Sequence, residues 1–422
     1  MSPGSRKRQR KSAAARSSAS SGPWHVEEEV LRLRQGPCTA EDLAAWPLEL
    51  ASSLLSAGKT EDEEMALRLA TWLHGKVIAY SDYSGVDCPR TGIHMALQGL
   101  NAKMAWHFTE DNFEFVRTAD KGPLQTDVLC QLSRMHAERG KKQPCHFGDL
   151  LHRCPPVARD WIASAMPGPS PGATLLEREM AFTDIHAWIK ANSAWIFKPG
   201  SQQYCHVHRK QCALHPIFSE VQTEKNGPAP VCMLAGPRVD DAGGKGPRPL
   251  YVNIAGMTCV GWSEEGAQAG FGDPSEAPHS VWQHERYEWA RHNHEDLFIA
   301  ECVPKYPVQR LRQELTGHQV LDLVINPASL GWPVRRPRRL MAGINLSKLC
   351  WCGPKDYAAD FASRFHRMLQ LSGDAFFLAD DDTRMEEYAQ LCMDRKFQVT
   401  SQAASSSDEG ALLRMMFFTS EG

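Results

Sequence analysis

No run of apolar residues in the 422-residue chain approaches the roughly 20 needed to cross a bilayer, so the sequence offers no membrane-spanning helix. Charge of one sign is also missing. Lys and Arg number 47 against 50 Asp and Glu, a formal net charge of −3, which excludes binding nucleic acid by charge alone while leaving room for local basic patches. The N-terminus has no secretory apolar core, and the 13 cysteines are odd in number, which points to reduced thiols inside a cell rather than a disulfide framework. Internal repeats are absent. What remains, 42% hydrophobic and 23% charged residues, is ordinary globular composition, enough for one large α/β core or two modest domains in a soluble, intracellular protein.

Residues 1–22 carry a basic cluster at Arg6, Lys7, Arg8, Arg10 and Lys11 in a Ser/Ala background with nothing to fold around. This reads as a disordered arm and, through its cluster, as a nuclear-localisation or polyanion-binding patch; a solvated tail or an organelle transit peptide would have similar composition. Residues 23–75 contain two predicted helices, 39–56 and 60–75, each opened by Thr with acidic residues in the first turn and carrying apolar residues at helical spacing. VIAYSD (77–82) reads as a short buried strand, followed by a turn and a helix with Pro89 near its start, the opening unit of a doubly wound sheet. AWHFTED (105–111) and PCHFGDL (144–150) read as further strands ending in Glu110 and Asp149. The stretch 156–250 is broken by Pro/Gly-rich segments around IHAWIKANSAWIF and CHVHRKQCALHP and reads as an insertion with some ordered core. LYVNIAG, DLFIAE and VLDLVI are three later strand candidates. GDAFFLA, a helical DTRMEEYAQLCMDRK, a Ser-rich linker and LLRMMFF fill the C-terminal part.

LYVNIAG alternates apolar and polar residues and stops at glycine, so it delivers Cys259 to a loop at a strand end, where α/β proteins place their chemistry. A single cysteine is by itself more often a small buried apolar residue. Glu110, Asp149, Cys259 and Glu301, each just after a predicted strand, would all face one rim of one sheet.

Six segments in this order resemble the motifs of the cytosine-C5 DNA methyltransferases. YSGVDCPRTG (83–92) is similar to the first cofactor-binding motif, with Tyr83, Ser84 and Gly85 at the turn under the methionine part of S-adenosylmethionine (SAM) and with Asp87 and Cys88 where the family has glycines. FTED resembles the second motif and would give Glu110 to the ribose hydroxyls; FGDL resembles the third and would give Asp149 to the adenine amine. GMTCVGWSEEG resembles the nucleophile motif, with Cys259 as the catalytic cysteine, Gly261, Ser263 and Gly266 in matching places, and Thr258 and Val260 replacing the flanking proline and glutamine. FIAECV resembles the Glu-Asn-Val motif, keeping Glu301 and replacing the asparagine by Cys302. LGWPVRRPRRLMAGI resembles the Gln-x-Arg-x-Arg motif, with Arg336 and Arg338 kept and Val334 for the glutamine. The resemblance covers roughly residues 75–150 and 250–345, and no Gly-Asn-Ser equivalent of the family's closing motif follows.

The resemblance implies a Rossmann-like α/β, SAM-dependent methyltransferase sheet with a large insertion and a short C-terminal extension. Its halves would be 76–155, binding the cofactor, and 251–345, carrying catalysis, separated by 156–250 and followed by 346–422. It implies nuclear methylation of C5 of cytosine in DNA. Cys259 would attack C6 and make C5 nucleophilic, Glu301 would hold N3, Arg338 would bind O2, and Arg336 or Arg338 would favour the thiolate. The target base would be flipped out of its duplex. One branch of the family methylates tRNA, and a non-catalytic scaffold that binds nucleic acid or SAM is a further reading.

Within the insertion, Cys205, His208, Cys212 and His215 are spaced C-x2-H-x3-C-x2-H, a set of nitrogen and sulfur ligands suited to one structural zinc, although the spacing is not a common finger spacing and His and Cys can cluster by chance. Arg209 and Lys210 would face phosphate with or without metal. Trp262, Trp332 and Trp351 read as core or pocket wall rather than base-stacking residues.

Overall fold

Every residue of Val77–Asp82 (β1) is buried, the signature of a strand covered on both faces at the centre of a sheet. The computed structural model describes residues 34–54, 60–167, 173–214, 231–232 and 249–371, apart from 265, 267 and 293. The other strands of the main sheet are Phe113–Ala119 (β2), Cys145–Phe147 (β3), Leu250–Gly256 (β4), Leu297–Cys302 (β5), His318–Ile325 (β6) and Arg338–Asn345 (β7). They lie in the order β3-β2-β1-β4-β5-β7-β6. The first five are parallel, and β7 runs antiparallel to both of its neighbours. The chain therefore moves outward from β1 through β2 to β3, returns to β4, and moves outward the other way. This is a Rossmann-like, doubly wound sheet with its switch point between β1 and β4, where such folds open a crevice at the carboxyl ends of their strands.

Nine helices are described: Ala40–Ser52 (α1), Thr60–His74 (α2), Cys88–Met104 (α3), Pro123–Glu138 (α4), Pro156–Ala165 (α5), Leu175–Ile196 (α6), Glu276–Arg291 (α7), Val308–Glu314 (α8) and Tyr357–Phe365 (α9). Thr39 and Asp42 close a capping box at the start of α1, as Thr174 and Glu177 do for α6. The insertion does not stand apart from the sheet domain. Ile185 and Ile189 of α6 pack against Ala277 and Val281 of α7, and a hairpin of Gln202–Cys205 and Lys210–Ala213 places Cys205 and Leu214 in the core beside β3.

The two ends of the described chain brace each other. Residues 34–35 pair in parallel with 367–368, the Trp46 indole donates to the Leu330 carbonyl at 2.6 Å, and Arg364 and Arg367 donate to Asp62 at 2.8 Å and Ser53 at 2.6 Å. The expectation of a strand at 105–111 is overturned: this stretch is a loop, and the strand begins at Phe113. The basic arm, the C-terminal segments GDAFFLA, DTRMEEYAQLCMDRK and LLRMMFF, and residues 215–230 and 233–248 of the insertion lie outside the described residues.

Beneath the carboxyl rim lies a buried ionic network. Asp82, the last residue of β1, meets Arg117 of β2 at 3.3 Å, Arg286 of α7 at 3.1 Å, the side-chain amide of Asn253 in β4 at 2.7 Å, and Arg153, which follows β3. Glu285 bonds Arg286 at 2.6 Å and also Arg153, and Glu295 lies 2.8 Å from Arg286. Burial alone would raise the Asp82 carboxyl, but Arg153, Arg117 and Arg286 together hold it well below the usual range. Glu295 goes the other way: burial pushes it up to about 8 despite Arg286.

A carboxyl whose folded pKa lies above its unfolded value of about 4.3 stabilises the fold fully below that value and loses the contribution as pH rises through the folded pKa. Urea unfolding from pH 5 to pH 9 is expected to show wild-type stability falling toward pH 8, by at most about 1.4 kcal/mol per pH unit. Glu295→Gln, which keeps the neutral form, should flatten that slope; an unchanged slope would show that Glu295 is not its source.

Candidate functional site at the carboxyl rim

The turn after β1 carries an alternating backbone strain. Tyr83, Gly85 and Asp87 have φ of 51°, 55° and 71°, the left-handed region that glycine enters freely and other residues seldom do. Ser84 ties the turn to β2: its buried hydroxyl donates to the Ser81 carbonyl at 3.0 Å and accepts the Ala119 amide at 3.1 Å. The Gly85 amide donates to the Asp120 carboxylate at 3.0 Å, and a Cβ on Gly85 would meet nothing within 4 Å, so this turn faces open space. Asp87 tolerates the left-handed conformation and pairs with Arg90 at 2.8 Å, while burial pushes its carboxyl up to about 6 against that partner. Cys88 is exposed.

Glu110 does not stand after a strand. It precedes β2 by three residues, and its carboxylate lies 3.7 Å from His94 on α3 and 3.8 Å from His136 near the C-terminal end of α4. There it lines a cavity of about 290 Å³ with Arg90, Phe113 and Lys141, away from the strands' carboxyl ends. The acid that does follow β2 is Asp120, missed in the sequence although it ends the alternating stretch FEFVRTA. One of its carboxylate oxygens takes the Gly85 amide, the other takes Gly122 at 2.9 Å, and its own amide donates to Phe147 at the tip of β3. Asp149 lies where expected, just past β3, and its carboxylate accepts the Leu151 amide at 2.9 Å.

The other half of the rim joins β4, β5 and β7. Gly256 ends β4, and a Cβ there would lie 3.3 Å from the Tyr83 carbonyl and 3.8 Å from a Glu301 carboxylate oxygen. The next amide, Met257, donates to the Glu301 carbonyl at 2.9 Å. Cys259 then opens a turn, its carbonyl accepting Trp262 at 2.9 Å and Ser263 at 2.8 Å. The loop needs its glycines: a Cβ on Gly261 would come within 2.7 Å of Asp273, and one on Gly266 within 2.0 Å of the Val260 carbonyl. Trp262 packs edge-on against Phe271 and Tyr306, which makes it wall.

Glu301 and Arg338 form an ion pair at 2.7 Å, with both side chains partly open to solvent. The half-buried Cys259 packs against the core cluster that includes Cys302, the residue after Glu301, and burial pushes the Cys302 thiol up to about 12. Of the arginine run, Arg338 alone is seen paired with Glu301. Arg335 and Arg336 are exposed on the loop, and Arg339 turns to the Pro304 carbonyl and Asp322.

Among the residues read as metal ligands, Cys205, His208 and Cys212 converge, whereas His215 lies outside the described residues. The fourth member of the cluster is Cys145, the first residue of β3. His208 Nδ1 lies 3.3 Å from Cys205, 3.5 Å from Cys145 and 3.6 Å from Cys212.

No protein-family model matches the chain, and no curated protein does. Among solved structures it is similar to the S. pombe Dnmt2 methyltransferase, at 8% identity over 75% of this chain and 66% of that one, with a TM-score of 0.31. It is also similar to the Entamoeba histolytica methyltransferase EhMeth, at 9% identity over 64% and 53% with a TM-score of 0.26. A prophage-encoded DNA modification methyltransferase of E. coli matches at 19% identity over 22% and 26%, with a TM-score of 0.17. The chain thus spans from about a quarter to just under two thirds of the length of these structures.

The left-handed backbone at Asp87 yields a direct comparison. Asp87→Gly and Asp87→Val both remove the carboxylate, but only valine must hold a β-branched side chain at positive φ. Asp87→Val should therefore be less stable than Asp87→Gly by about 1–2 kcal/mol in urea unfolding; equal stabilities would remove the claim of backbone strain at this turn.

Proposed function

We propose that this protein is a methyltransferase that uses SAM and methylates C5 of cytosine in DNA through Cys259. The observation that carries the reading is the meeting at one rim of a glycine-tightened loop bearing a thiol and a carboxylate–guanidinium pair, Glu301–Arg338, beside the turn at Tyr83.

The residues along β1, β2 and β3 suit SAM. Gly85 faces open space, and the Tyr83 hydroxyl is buried without a hydrogen-bond partner among the described residues. Asp120 and Asp149 stand at adjacent strand tips, and a carboxylate with one contact on each oxygen keeps lone pairs for further donors. Asp120 takes the ribose role that the resemblance assigns to Glu110, and Asp149 takes the adenine amine. When bound, SAM supplies an electrophilic methyl group.

On the other half of the rim, the Cys259 thiolate adds to C6 of cytosine while Arg338 leaves Glu301 to hold O2 and Glu301, taking up a proton from water as the pair opens, passes it to N3. The addition makes C5 nucleophilic. Once C5 has taken the methyl group, with S-adenosylhomocysteine as the leaving group, loss of the C5 proton to water expels the thiolate and the N3 proton returns to Glu301. The Glu301–Arg338 pair positions each group for its own contact on the base, and Arg336 on the exposed loop meets phosphate. The basic cluster at 6–11 adds polyanion attraction and nuclear targeting.

Labelled methyl from SAM should enter duplex DNA with the intact protein and not with Cys259→Ser, which should still bind SAM in calorimetry. Asp120→Ala should weaken SAM binding by tenfold or more, in line with about 1.5–3 kcal/mol for hydrogen bonds to a charged group, whereas Glu110→Ala should leave it within about twofold. Label in tRNA instead would replace the substrate and keep the mechanism; SAM binding with no label in either nucleic acid would leave a non-catalytic module.

A further inference from the structure

We propose that Cys145, Cys205, His208 and Cys212 bind one structural zinc ion that fastens the hairpin of the insertion to the edge strand of the main sheet. Cys145 begins β3, the outermost strand on its side, and the other three lie on the hairpin some 60 residues further along the chain. All four ligand atoms lie within 4.8 Å of one another, and His208 Nδ1 is 3.3–3.6 Å from each of the three sulfurs. Ligands held about 2.0–2.3 Å from a tetrahedral centre stand about 3.3–3.8 Å apart, so the three distances from His208 to the sulfurs already match a Cys3His site.

The local backbone is shaped for it. Arg209 adopts φ 54°, and its amide donates to the Cys205 carbonyl at 2.8 Å, closing a turn so tight that His208 folds back over the Cys205 sulfur. The His208 amide itself points at that sulfur from 3.4 Å, the kind of outer contact that steadies a thiolate ligand. The three cysteines are free rather than disulfide-linked, so each can act as a thiolate.

The hairpin also touches the rim. His206 donates its amide to His146 in β3 at 2.9 Å and sets its ring 3.2 Å from where a Gly148 Cβ would be, and the Gln203 amide group donates to the Asp149 carbonyl at 3.3 Å. A metal at this place therefore acts as a staple behind the loop carrying Asp149. The site stands whatever reaction the rim performs.

The test uses the full chain, purified without chelator and without a metal-affinity tag. Elemental analysis should find one zinc per chain, and exchange with cobalt should give tetrahedral d–d absorption with thiolate-to-cobalt charge transfer proportionate to three sulfurs. Cys145→Ser should lose the metal, whereas His215→Ala, altering the ligand suggested by local spacing, should keep it. Should Cys145→Ser fail to fold, His208→Cys serves instead: it should retain zinc and raise the charge-transfer intensity to that of four sulfurs. Wild-type protein with neither zinc nor a cobalt spectrum overturns the proposal, as does zinc retained by Cys145→Ser or lost from His215→Ala.

Discussion

One buried carboxylate organises this protein. Asp82 sits at the end of the central strand with no exposure, and its partners come from β2, β4, α7 and the loop after β3. Arg117 carries the connection outward to the Leu214 carbonyl at the end of the insertion's hairpin, at 2.9 Å, and lies over the rings of Tyr80 and Trp289. Replacing such a cluster with apolar residues of the same volume need not weaken a fold, but removing one member leaves charges without partners, at a cost of about 3–5 kcal/mol. Its geometric effect is specificity. The three guanidiniums can be satisfied together only when both halves of the sheet and the hairpin are in register, and the strained turn at Tyr83 begins one residue later.

The same network explains which parts of the fold were legible in the sequence. VIAYSD and LYVNIAG read correctly because burial on both faces leaves an apolar strand bounded by turn residues. FEFVRTA was passed over because Arg117 gives it a charge in its middle, and nothing local says that the charge is buried against Asp82. AWHF drew the strand instead. Its apolar residues serve another purpose: Phe108 and Trp106 pack edge-on against each other, and Phe108 against His74, as a plug under the N-terminal helices. With the strand misplaced, Glu110 was read as the residue after it, whereas the acid that follows the strand is Asp120.

At the candidate site, motif spacing singled out residues that lie together in one loop and passed over those brought in by pairing from elsewhere in the chain. Cys259, Gly261 and Gly266 lie in one turn, and Asp149 directly follows its strand, so sequence proximity was enough. The resemblance singled out Glu301 and Arg338 separately; that they pair follows from the antiparallel arrangement that sets Leu340 opposite Glu301. Cys145 was invisible as a ligand because its companions are far along the chain and its own context, PCHF, reads as an ordinary buried strand. Gly256 joins the two halves of the rim: lacking a side chain, it lets the turn after β1 and the acid of β5 approach each other across β4.

The bracing of the two ends of the described chain bears on how the molecule comes into being on the ribosome. Helices α1 and α2 are made early, but the partners of Trp46, Ser53 and Asp62 lie about 280–310 residues later, at Leu330, Arg367 and Arg364. Before those are synthesised, α1 can dock on α3, through the close approach of Gly99 to Leu48 and Ala51, and α2 on Phe108 and Asn112. Translation at about 5–20 residues per second leaves that half-docked segment waiting for tens of seconds. The residues that close the clasp, Arg364 and Arg367, emerge only after β7, the strand that ends at Asn345 and is the last of the main sheet to be made.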